Sequence, residues 1–171
     1  MYNIVPMQKQ KQNFTDYYNQ YKDKIFNYFW YRVNFNRALA EDLTADAFLK
    51  AFKGFKDFDH GRSFQSWMYA IAKNHLLNYY RTANRETDLL DIEKMGVNEL
   101  KKIEDRLELE QAFDLINQLS EYHRDVLLLR YSDGLNNSEI AEILNKDEGA
   151  VRTQISRALE ELRSHASRNN V

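Results

Sequence analysis

The clearest helical pattern lies near the end of the chain, in the run Leu135-Asn-Asn-Ser-Glu-Ile-Ala-Glu-Ile-Leu-Asn-Lys-Asp-Glu-Gly-Ala-Val-Arg-Thr-Gln-Ile-Ser-Arg-Ala-Leu159. Its pattern predicts two short helices joined by a tight turn at Asn145-Lys146. Asn136 stands where a helix N-cap is expected, and Glu139 follows three residues later, as in a capping box. Asp147 can cap the second helix. The stretch is therefore predicted to form a helix-turn-helix.

The second predicted helix has two kinds of face. Its apolar face consists of Val151, Ile155, Ala158, Leu159 and Leu162. Its other faces carry the residues that we select as candidate DNA contacts, namely Glu148, Arg152, Thr153, Ser156 and Arg157. Two amphipathic helices with a short connection also occur in ordinary helical bundles. The motif alone therefore leaves both interpretations open.

Composition favours a helical globular protein. The chain has 171 residues, 43% of them hydrophobic, which is enough for one domain or two small ones. It contains one Pro and five Gly and no convincing alternating run, so we predict an all-α fold. Without cysteine it can form neither disulfides nor Cys-rich metal sites, which suits a cytoplasmic location. No apolar run approaches the roughly 18 residues of a membrane helix, so no membrane insertion is expected.

The net charge of -2 hides an uneven distribution. Residues 1–85 carry 13 Lys and Arg against 7 Asp and Glu, residues 86–105 carry 3 against 7, and residues 106–171 carry 8 against 12. We interpret these segments as a basic helical domain, an acidic linker and a second small helical domain that ends in the helix-turn-helix. Residues 1–12 lack periodicity and are expected to be a flexible tail, so the first domain spans 13–85. Attraction to phosphate should be strongest in this basic half.

Three helices are predicted in the first domain: from Phe14 to about Val33, then to about Phe55, and from Ser63 to Arg81. The inner side of the second helix is predicted to consist of Leu43, Ala47, Phe48, Ala51 and Phe52. Its outer side carries Asp42, Asp46, Leu49 and Lys53. An apolar side chain among charged ones is typical of a docking surface, although single exposed leucines are also common.

The third predicted helix has one apolar and one mixed face. The apolar stripe consists of Phe64, Trp67, Met68, Ile71, His75 and Leu76, and His75 is expected to be a core residue rather than a ligand. The mixed face carries Tyr69, Lys73, Asn74, Asn78, Tyr80 and Arg81. Cations can hold phosphates, rings can stack on unpaired bases and amides can read base edges, so this face favours single-stranded nucleic acid. An ordinary polar surface is the alternative.

Five segments in a fixed order carry a resemblance to a known family: Ala40-Glu-Asp-Leu43, Phe48-Leu-Lys50, Phe64-Gln-Ser-Trp-Met-Tyr-Ala-Ile-Ala-Lys-Asn74, Arg124-Asp-Val-Leu-Leu-Leu-Arg-Tyr-Ser-Asp-Gly-Leu135 and Glu139-Ile-Ala141. The chain resembles the bacterial sigma factors of RNA polymerase. Within the sigma-70 family it is most similar to the small extracytoplasmic-function, or group-four, type. The resemblance covers roughly residues 14 to 164.

The resemblance implies that the first domain is sigma region 2, which binds core RNA polymerase and helps to melt the -10 element. The second domain would be region 4, which binds the -35 element. Expected polymerase contacts are Asp42, Asp46, Leu49 and Lys53. Expected contacts to the melted -10 strand are Arg62, Lys73, Asn74, Asn78, Tyr80 and Arg81. Expected -35 contacts are Glu148, Arg152, Thr153, Ser156 and Arg157.

The resemblance has two further implications. The loop from Phe58 to Arg62 would form the wall of a pocket for a base that is flipped out of the stack. Such factors are held inactive by an anti-sigma protein, which is thus an expected partner besides core polymerase and promoter DNA.

The helix-turn-helix departs from the family pattern at the start of its second helix. That helix more often begins Gly-Thr-Val-Lys-Ser-Arg after a Ser cap, whereas here Asp147 caps it and Ala150-Val-Arg-Thr-Gln154 follow. A hydroxyl and a basic group that often touch phosphate are missing, and Lys146 occupies a usually apolar position. Since this domain is also acidic, it is expected to need the polymerase and the first domain to hold it on DNA.

Other functions stay open from the sequence. A stand-alone helix-turn-helix repressor or activator would bind a palindromic duplex without polymerase. A pure interaction module would use only the face around Asp46. An enzyme is least favoured, because the chain lacks cysteine, a Gly-rich phosphate loop and a clustered acid and base set. Asp57, Asp59 and His60 are interpreted as turn formers, so neither a metal nor a cofactor is expected.

Overall fold

The structure, a computed structural model, describes residues 13–86 and 112–169. Every regular element in these two ranges is a helix, which confirms the predicted all-α class. None of the described helices is both long and apolar enough to cross a membrane. The predicted tail at 1–12 and nearly all of the predicted linker at 86–105 lie outside the described residues.

The first domain is built from three helices, α1 (Phe14–Arg32), α2 (Arg37–Gly54) and α3 (Phe64–Glu86). Each begins where a side-chain oxygen accepts a hydrogen bond from a backbone amide of the first turn. The capping residues are Asn13, Asn36 and Ser63, with oxygen to nitrogen distances between 3.0 and 3.2 Å. A short 3-10 turn, Phe55–Asp57, follows α2.

The core of the first domain combines large rings with small side chains. Helix α1 contributes the buried residues Tyr21, Ile25, Tyr28 and Phe29. Helix α2 presents three fully buried alanines, Ala40, Ala47 and Ala51. Small side chains on one helix leave room for rings on its neighbour, which is how a dense interior is filled. This packing fixes which side of α2 and of α3 stays outside.

The second domain contains α4, described from 112 to 117, α5 (Glu121–Leu127), α6 (Asn137–Leu144) and α7 (Glu148–Asn169). Helix α5 does not continue as a plain α-helix but widens into a π-helical turn, Leu128–Ser132. In this turn the amide of Asp133 donates to the Leu128 carbonyl at 2.9 Å. Gly134 then ends the segment with a left-handed φ of 70°.

Helices α6 and α7 form the predicted helix-turn-helix. Asn136 and Glu139 complete the capping box at the start of α6. The turn passes through Asn145, whose φ of 54° is a left-handed conformation that asparagine tolerates. Asp147 Oδ1 accepts a 2.7 Å hydrogen bond from a first-turn amide of α7. A Cβ at Gly149 would lie only 3.0 Å from that oxygen, so the glycine leaves room for the cap.

Two aromatic residues lie differently from their prediction. Phe52 was predicted to face the core, but it is 61% exposed and meets Phe14 edge-on at the margin of the core. Tyr69 was predicted to lie on the mixed face of α3, but it is fully buried. Its ring packs against Tyr28 of α1, and α6 of the second domain packs on α3. Tertiary contacts, which local spacing does not encode, decide both positions.

A charged group lies at the centre of the contact between the two domains. Arg32, at the end of α1, places its Nε 3.0 Å from Asp125 Oδ1 and its Nη1 3.4 Å from Asp133 Oδ2. The guanidinium also lies 3.8 Å from the centre of the Tyr28 ring. Only 4% of the Arg32 side chain and 1% of the Asp133 side chain are exposed. One buried cation of the first domain therefore forms ion pairs with two carboxylates of the second domain.

Burial raises the pKa of Asp133 to about 6, although the charge and hydrogen bond of Arg32 lower it and Asp125 raises it. Because this pKa lies above the ordinary 3.8, the folded chain holds the proton more tightly than the unfolded chain. The stability from this group is therefore full below pH 3.8 and is lost as the pH rises through about 6. We expect Asp133 to stabilise the fold by about 1 kcal/mol more at pH 5 than at pH 7.

Urea unfolding of wild type and Asp133→Asn at the two pH values measures this contribution. From pH 5 to pH 7, the free energy of unfolding of wild type should fall by about 1 kcal/mol more than that of Asp133→Asn. Asp114→Asn, at an exposed aspartate of the same domain, is the matched control and should respond as wild type does. An identical pH response in all three proteins would contradict the prediction.

Candidate protein and nucleic-acid interfaces

The outer side of α2 is exposed, as the sequence predicted. Asp42, Asp46, Leu49 and Lys53 all face solvent, and Leu49 is 51% exposed. Phe52 adds a second large apolar side chain three residues after Leu49. These five residues are the α2 outer face. Two exposed apolar side chains beside carboxylates suit a partner that covers them and carries positive charge at the rim.

His75 of α3 lies beneath the α2 outer face and is close to two charged residues of α2. Its Nδ1 lies 2.6 Å from Lys50 Nζ and its Nε2 lies 3.6 Å from Asp46 Oδ2. Burial and then the charge of Lys50 lower the pKa of His75, whereas Asp46 raises it. A neutral imidazole accepts from the Lys50 ammonium at Nδ1 and turns its Nε2–H towards Asp46. The predicted core histidine is mostly buried, with 11% of its side chain exposed, and its Nδ1 also contacts the surface residue Lys50.

The polar side of α3 gathers most of the residues predicted to bind single-stranded nucleic acid. This α3 polar face consists of Lys73, Asn74, Asn78, Tyr80 and Arg81. Arg81 Nη2 donates to Asn78 Oδ1 at 2.8 Å, so a guanidinium and an amide form one exposed patch. The Tyr80 hydroxyl donates to the backbone oxygen of Arg32, and its ring is 38% exposed. Cations, amides and a ring on one surface match what unpaired bases and phosphates require.

Arg62 is not part of this group. It lies in the loop before α3, and its Nη2 donates to Glu142 Oε1 of α6 at 2.8 Å. Lys73 and Tyr80 line a cleft of about 340 Å³ whose opposite wall belongs to the second domain. The second domain therefore occupies part of the surface that the sequence assigned to a single strand.

The loop from Phe58 to Arg62 has a buried start and an exposed end. Phe58 packs on Trp67, with ring centres 4.7 Å apart. Asp59 Oδ1 accepts a 2.8 Å hydrogen bond from the amide of Gly61, which is the turn-forming role predicted for it. The residues of this loop that remain accessible to a ligand are its later polar ones.

The exposed side of α7 carries all five residues selected from the sequence. This α7 exposed face consists of Glu148, Arg152, Thr153, Ser156 and Arg157. Arg152 Nη1 lies 3.5 Å from Glu148 Oε2, so the first charge pair partly neutralises itself. Gln154 on the opposite side is buried, and its Nε2 donates to the Tyr122 carbonyl at 2.7 Å. This bond ties α7 to α5 and holds the exposed face at a fixed angle.

Sequence reasoning missed the residues whose role depends on the other domain. Arg32 resembles an ordinary cation in the last turn of a helix, and Asp133 resembles an ordinary turn residue beside a glycine. Neither has a local signal that it is buried. Phe52 could have been found, because it follows Leu49 by three residues and so shares its side of the helix.

Two family descriptions match the chain. "Sigma-70 region 2" matches residues 17–86, which cover the first domain, and "Sigma-70, region 4" matches residues 109–162, which cover the helix-turn-helix. The order of the two matches is the order that the sequence predicted.

Several sigma factors are similar to the chain over much of its length. The ECF RNA polymerase sigma factor SigW of Bacillus subtilis is 35% identical over 165 residues, which cover 88% of this chain and 87% of SigW. The ECF RNA polymerase sigma factor BldN of Streptomyces coelicolor is 30% identical over 151 residues, which cover 85% of this chain and 57% of BldN. The chain thus spans little more than half the length of BldN but most of SigW.

Two solved structures share the fold. RpoE of Bartonella quintana, in complex with the anti-sigma factor NepR, has a TM-score of 0.71 at 22% identity, covering 90% of this chain and 98% of RpoE. CnrH, in complex with the cytosolic domain of CnrY, has a TM-score of 0.69 at 21% identity, covering 90% of this chain and 87% of CnrH. The two matched regions and the similarity to SigW show that the chain belongs to the sigma-70 family of RNA polymerase sigma factors, of the extracytoplasmic-function type, which are not enzymes.

Proposed function

We propose that the chain binds core RNA polymerase through the α2 outer face and selects promoters through two separate DNA contacts. The α3 polar face holds the melted -10 strand, and the α7 exposed face reads the -35 element. The observation that carries the proposal is the presence of three exposed faces of different chemistry on three different helices. The chain supplies recognition in the cytoplasm, and the polymerase supplies the chemistry.

The proposed division of the chain assigns one role to each of three segments. Residues 13–85 form the unit that binds polymerase and the -10 strand, residues 86–105 form the connection, and residues 106–171 form the unit that binds the -35 element. The matches to region 2 at 17–86 and to region 4 at 109–162 support these bounds to within a few residues. An anti-sigma protein is the remaining proposed partner, since RpoE was solved in complex with the anti-sigma factor NepR.

The -10 contact joins electrostatic and stacking interactions. Lys73 and Arg81 neutralise phosphates, Asn74 and Asn78 reach base edges, and Tyr80 offers a ring for stacking. Flipping a base out of the duplex costs a few kcal/mol, which these contacts and the accessible end of the loop before α3 must offset. Arg62 joins them once it is released from Glu142.

The -35 contact is weaker by itself. Glu148 lies beside Arg152 and reduces the net positive charge of the α7 exposed face. The whole segment from 106 to 171 carries 12 acidic against 8 basic residues, which repels a phosphate backbone at long range. Attachment to polymerase raises its effective concentration at the promoter, so the contact needs only modest affinity.

The decisive experiment is transcription by the reconstituted holoenzyme. Purified chain with bacterial core polymerase is expected to give run-off transcripts from discrete start sites on a library of genomic fragments, and core polymerase alone should give none. A chain that neither binds core nor starts transcription on any fragment would exclude the proposal. Tight binding to a palindromic duplex without polymerase would point to a repressor instead.

Truncation of the apolar residue on the α2 outer face should weaken polymerase binding. A leucine that becomes buried in an interface contributes about 1.5 to 3 kcal/mol, so Leu49→Ala should raise the Kd for core polymerase about tenfold or more. Titration of labelled chain with core polymerase measures the change. Leu77→Ala is the matched control, because Leu77 is 46% exposed but lies on α3. Equal affinities of the two variants would remove the α2 outer face from the interface.

Loss of one phosphate contact on the α7 exposed face should change how promoter binding depends on the salt concentration. Arg157→Gln in the holoenzyme is expected to weaken binding to a promoter fragment and to lower the slope of log affinity against log salt by about 1. Arg168→Gln, at an exposed arginine in the last turn of the same helix, is the control and should leave the slope unchanged. Identical slopes for both variants would argue against a backbone contact at Arg157.

A further inference from the structure

The cleft between the two domains has a surplus of positive charge. Of the described residues, five charged ones line it: Arg32 and Lys73 of the first domain, and Glu121, Arg124 and Asp125 of the second. Arg32 and Asp125 are bonded to each other. Two cations, Lys73 and Arg124, therefore share the cleft with one remaining carboxylate, that of Glu121. The cleft is thus locally positive, although the domain that forms one of its walls is acidic.

The two remaining cations lack a counter-ion. Lys73 and Arg124 lie half-buried on opposite walls of the cleft. Neither side chain forms an ion pair or a hydrogen bond with another described residue. Like charges in a partly desolvated cleft repel each other, and an anion between them removes this repulsion. A phosphate monoester suits the position, since it carries close to two negative charges at pH 7 and matches the guanidinium fork of Arg124.

Aromatic rings line the same cleft. The hydroxyl of Tyr80 donates to the backbone oxygen of Arg32, and its ring remains 38% exposed. Tyr31 also lines the cleft, and its ring stacks on Phe113 with ring centres 5.2 Å apart. Because these contacts already hold the rings, a planar ligand that stacks on one of them costs little side-chain entropy. The cleft therefore combines phosphate-binding cations with fixed aromatic surfaces.

The remaining polar groups and the size of the cleft narrow the class of ligand. Asn34 and Asn117 are exposed and line the cleft from opposite domains. Each side-chain amide offers a donor and an acceptor, which is what the edge of a nucleobase requires. The volume of about 340 Å³ lies at the lower end of the range of small-ligand pockets, roughly 300 to 1,000 Å³. The cleft therefore suits one small ligand rather than a strand.

We propose that the cleft between the domains is a binding site for a nucleoside monophosphate. Lys73 and Arg124 hold the phosphate, the base stacks on Tyr80, and Glu121 accepts a hydrogen bond from a ribose hydroxyl. This binding does not depend on the proposed function. Lys73 and Tyr80 are also the proposed contacts of the -10 strand, so a bound nucleotide and that strand exclude each other. Only this last consequence rests on the proposed function.

Calorimetric titration of the full chain with AMP, GMP, CMP and UMP tests the site without polymerase or DNA. At least one of the four is expected to bind with a Kd of about 100 μM or lower. Ribose phosphate has no base to stack and should bind at least about tenfold more weakly. No binding of any of the four at about 1 mM would overturn the proposal. Ribose phosphate that binds as tightly as the nucleotides would show a site for an anion alone and would overturn it too.

Substitution of each cation locates the phosphate. Lys73→Gln and Arg124→Gln are each expected to weaken binding of the nucleotide about tenfold or more. Lys22→Gln in α1 and Arg163→Gln in α7 remove exposed cations outside the cleft and should keep the wild-type affinity. Thermal unfolding of each variant shows whether it is folded. Wild-type affinity in both cleft variants, or an equal loss in the controls, would contradict the assignment.

Substitution of Tyr80 tests the stacking contact. Tyr80→Leu removes the ring and should weaken binding of the nucleotide about tenfold, with ribose phosphate affected far less. Tyr80→Phe keeps the ring and should stay within about threefold of wild type. A loss in Tyr80→Leu that is the same for both ligands would contradict stacking of the base on this ring.

An independent readout needs no substitution. In the isotope-labelled wild-type chain, the side-chain amide signals of both Asn34 and Asn117 should shift on addition of the nucleotide. The amide of Asn19, exposed on α1 outside the cleft, is the control and should not shift. Shifts confined to one domain would place the ligand elsewhere and would overturn the proposal. Run-off transcription judges the proposed function separately, because none of these measurements contains polymerase or DNA.

Discussion

A guanidinium that has lost its water must be held by carboxylates or aromatic rings, and Arg32 has both. Its carboxylates come from the second domain and its ring, Tyr28, comes from its own helix. Arg32, together with the apolar residues buried between the domains, therefore fixes their relative position. The burial of Tyr69, the pairing of Arg62 with Glu142 and the cleft beside Lys73 all follow from that position.

The uneven charge of the chain has a consistent physical meaning in this arrangement. The basic first half attracts the phosphate backbone, and Glu142 of the acidic second domain pairs with Arg62 of the first. Salt-dependent attraction between the domains and attraction to DNA thus draw on the same residues.

Local features of the fold were predictable from sequence because local interactions determine them. The caps at Ser63, Asn136 and Asp147 require only an oxygen at a fixed distance from a helix start, and the exposed row on α7 requires only helical spacing. Phe52 and Tyr69 were placed wrongly because the core margin and the second domain decide their burial. The resemblance to sigma factors located the candidate faces, but it did not reveal the buried Arg32 group, which depends on contact between distant segments.

The π-helical turn after α5 makes the position of the helix-turn-helix sensitive to the loss of a single residue. Such a turn accommodates one residue more than an α-helix does, so it is equivalent to a single-residue insertion. Loss of one codon between Leu128 and Ser132 would convert the segment to a regular helix and rotate everything after it by about 100°. The helix-turn-helix would keep its own fold but would carry Asp133 away from Arg32. A change in the length of this segment would thus change which residues meet Arg32 without altering the helix-turn-helix itself.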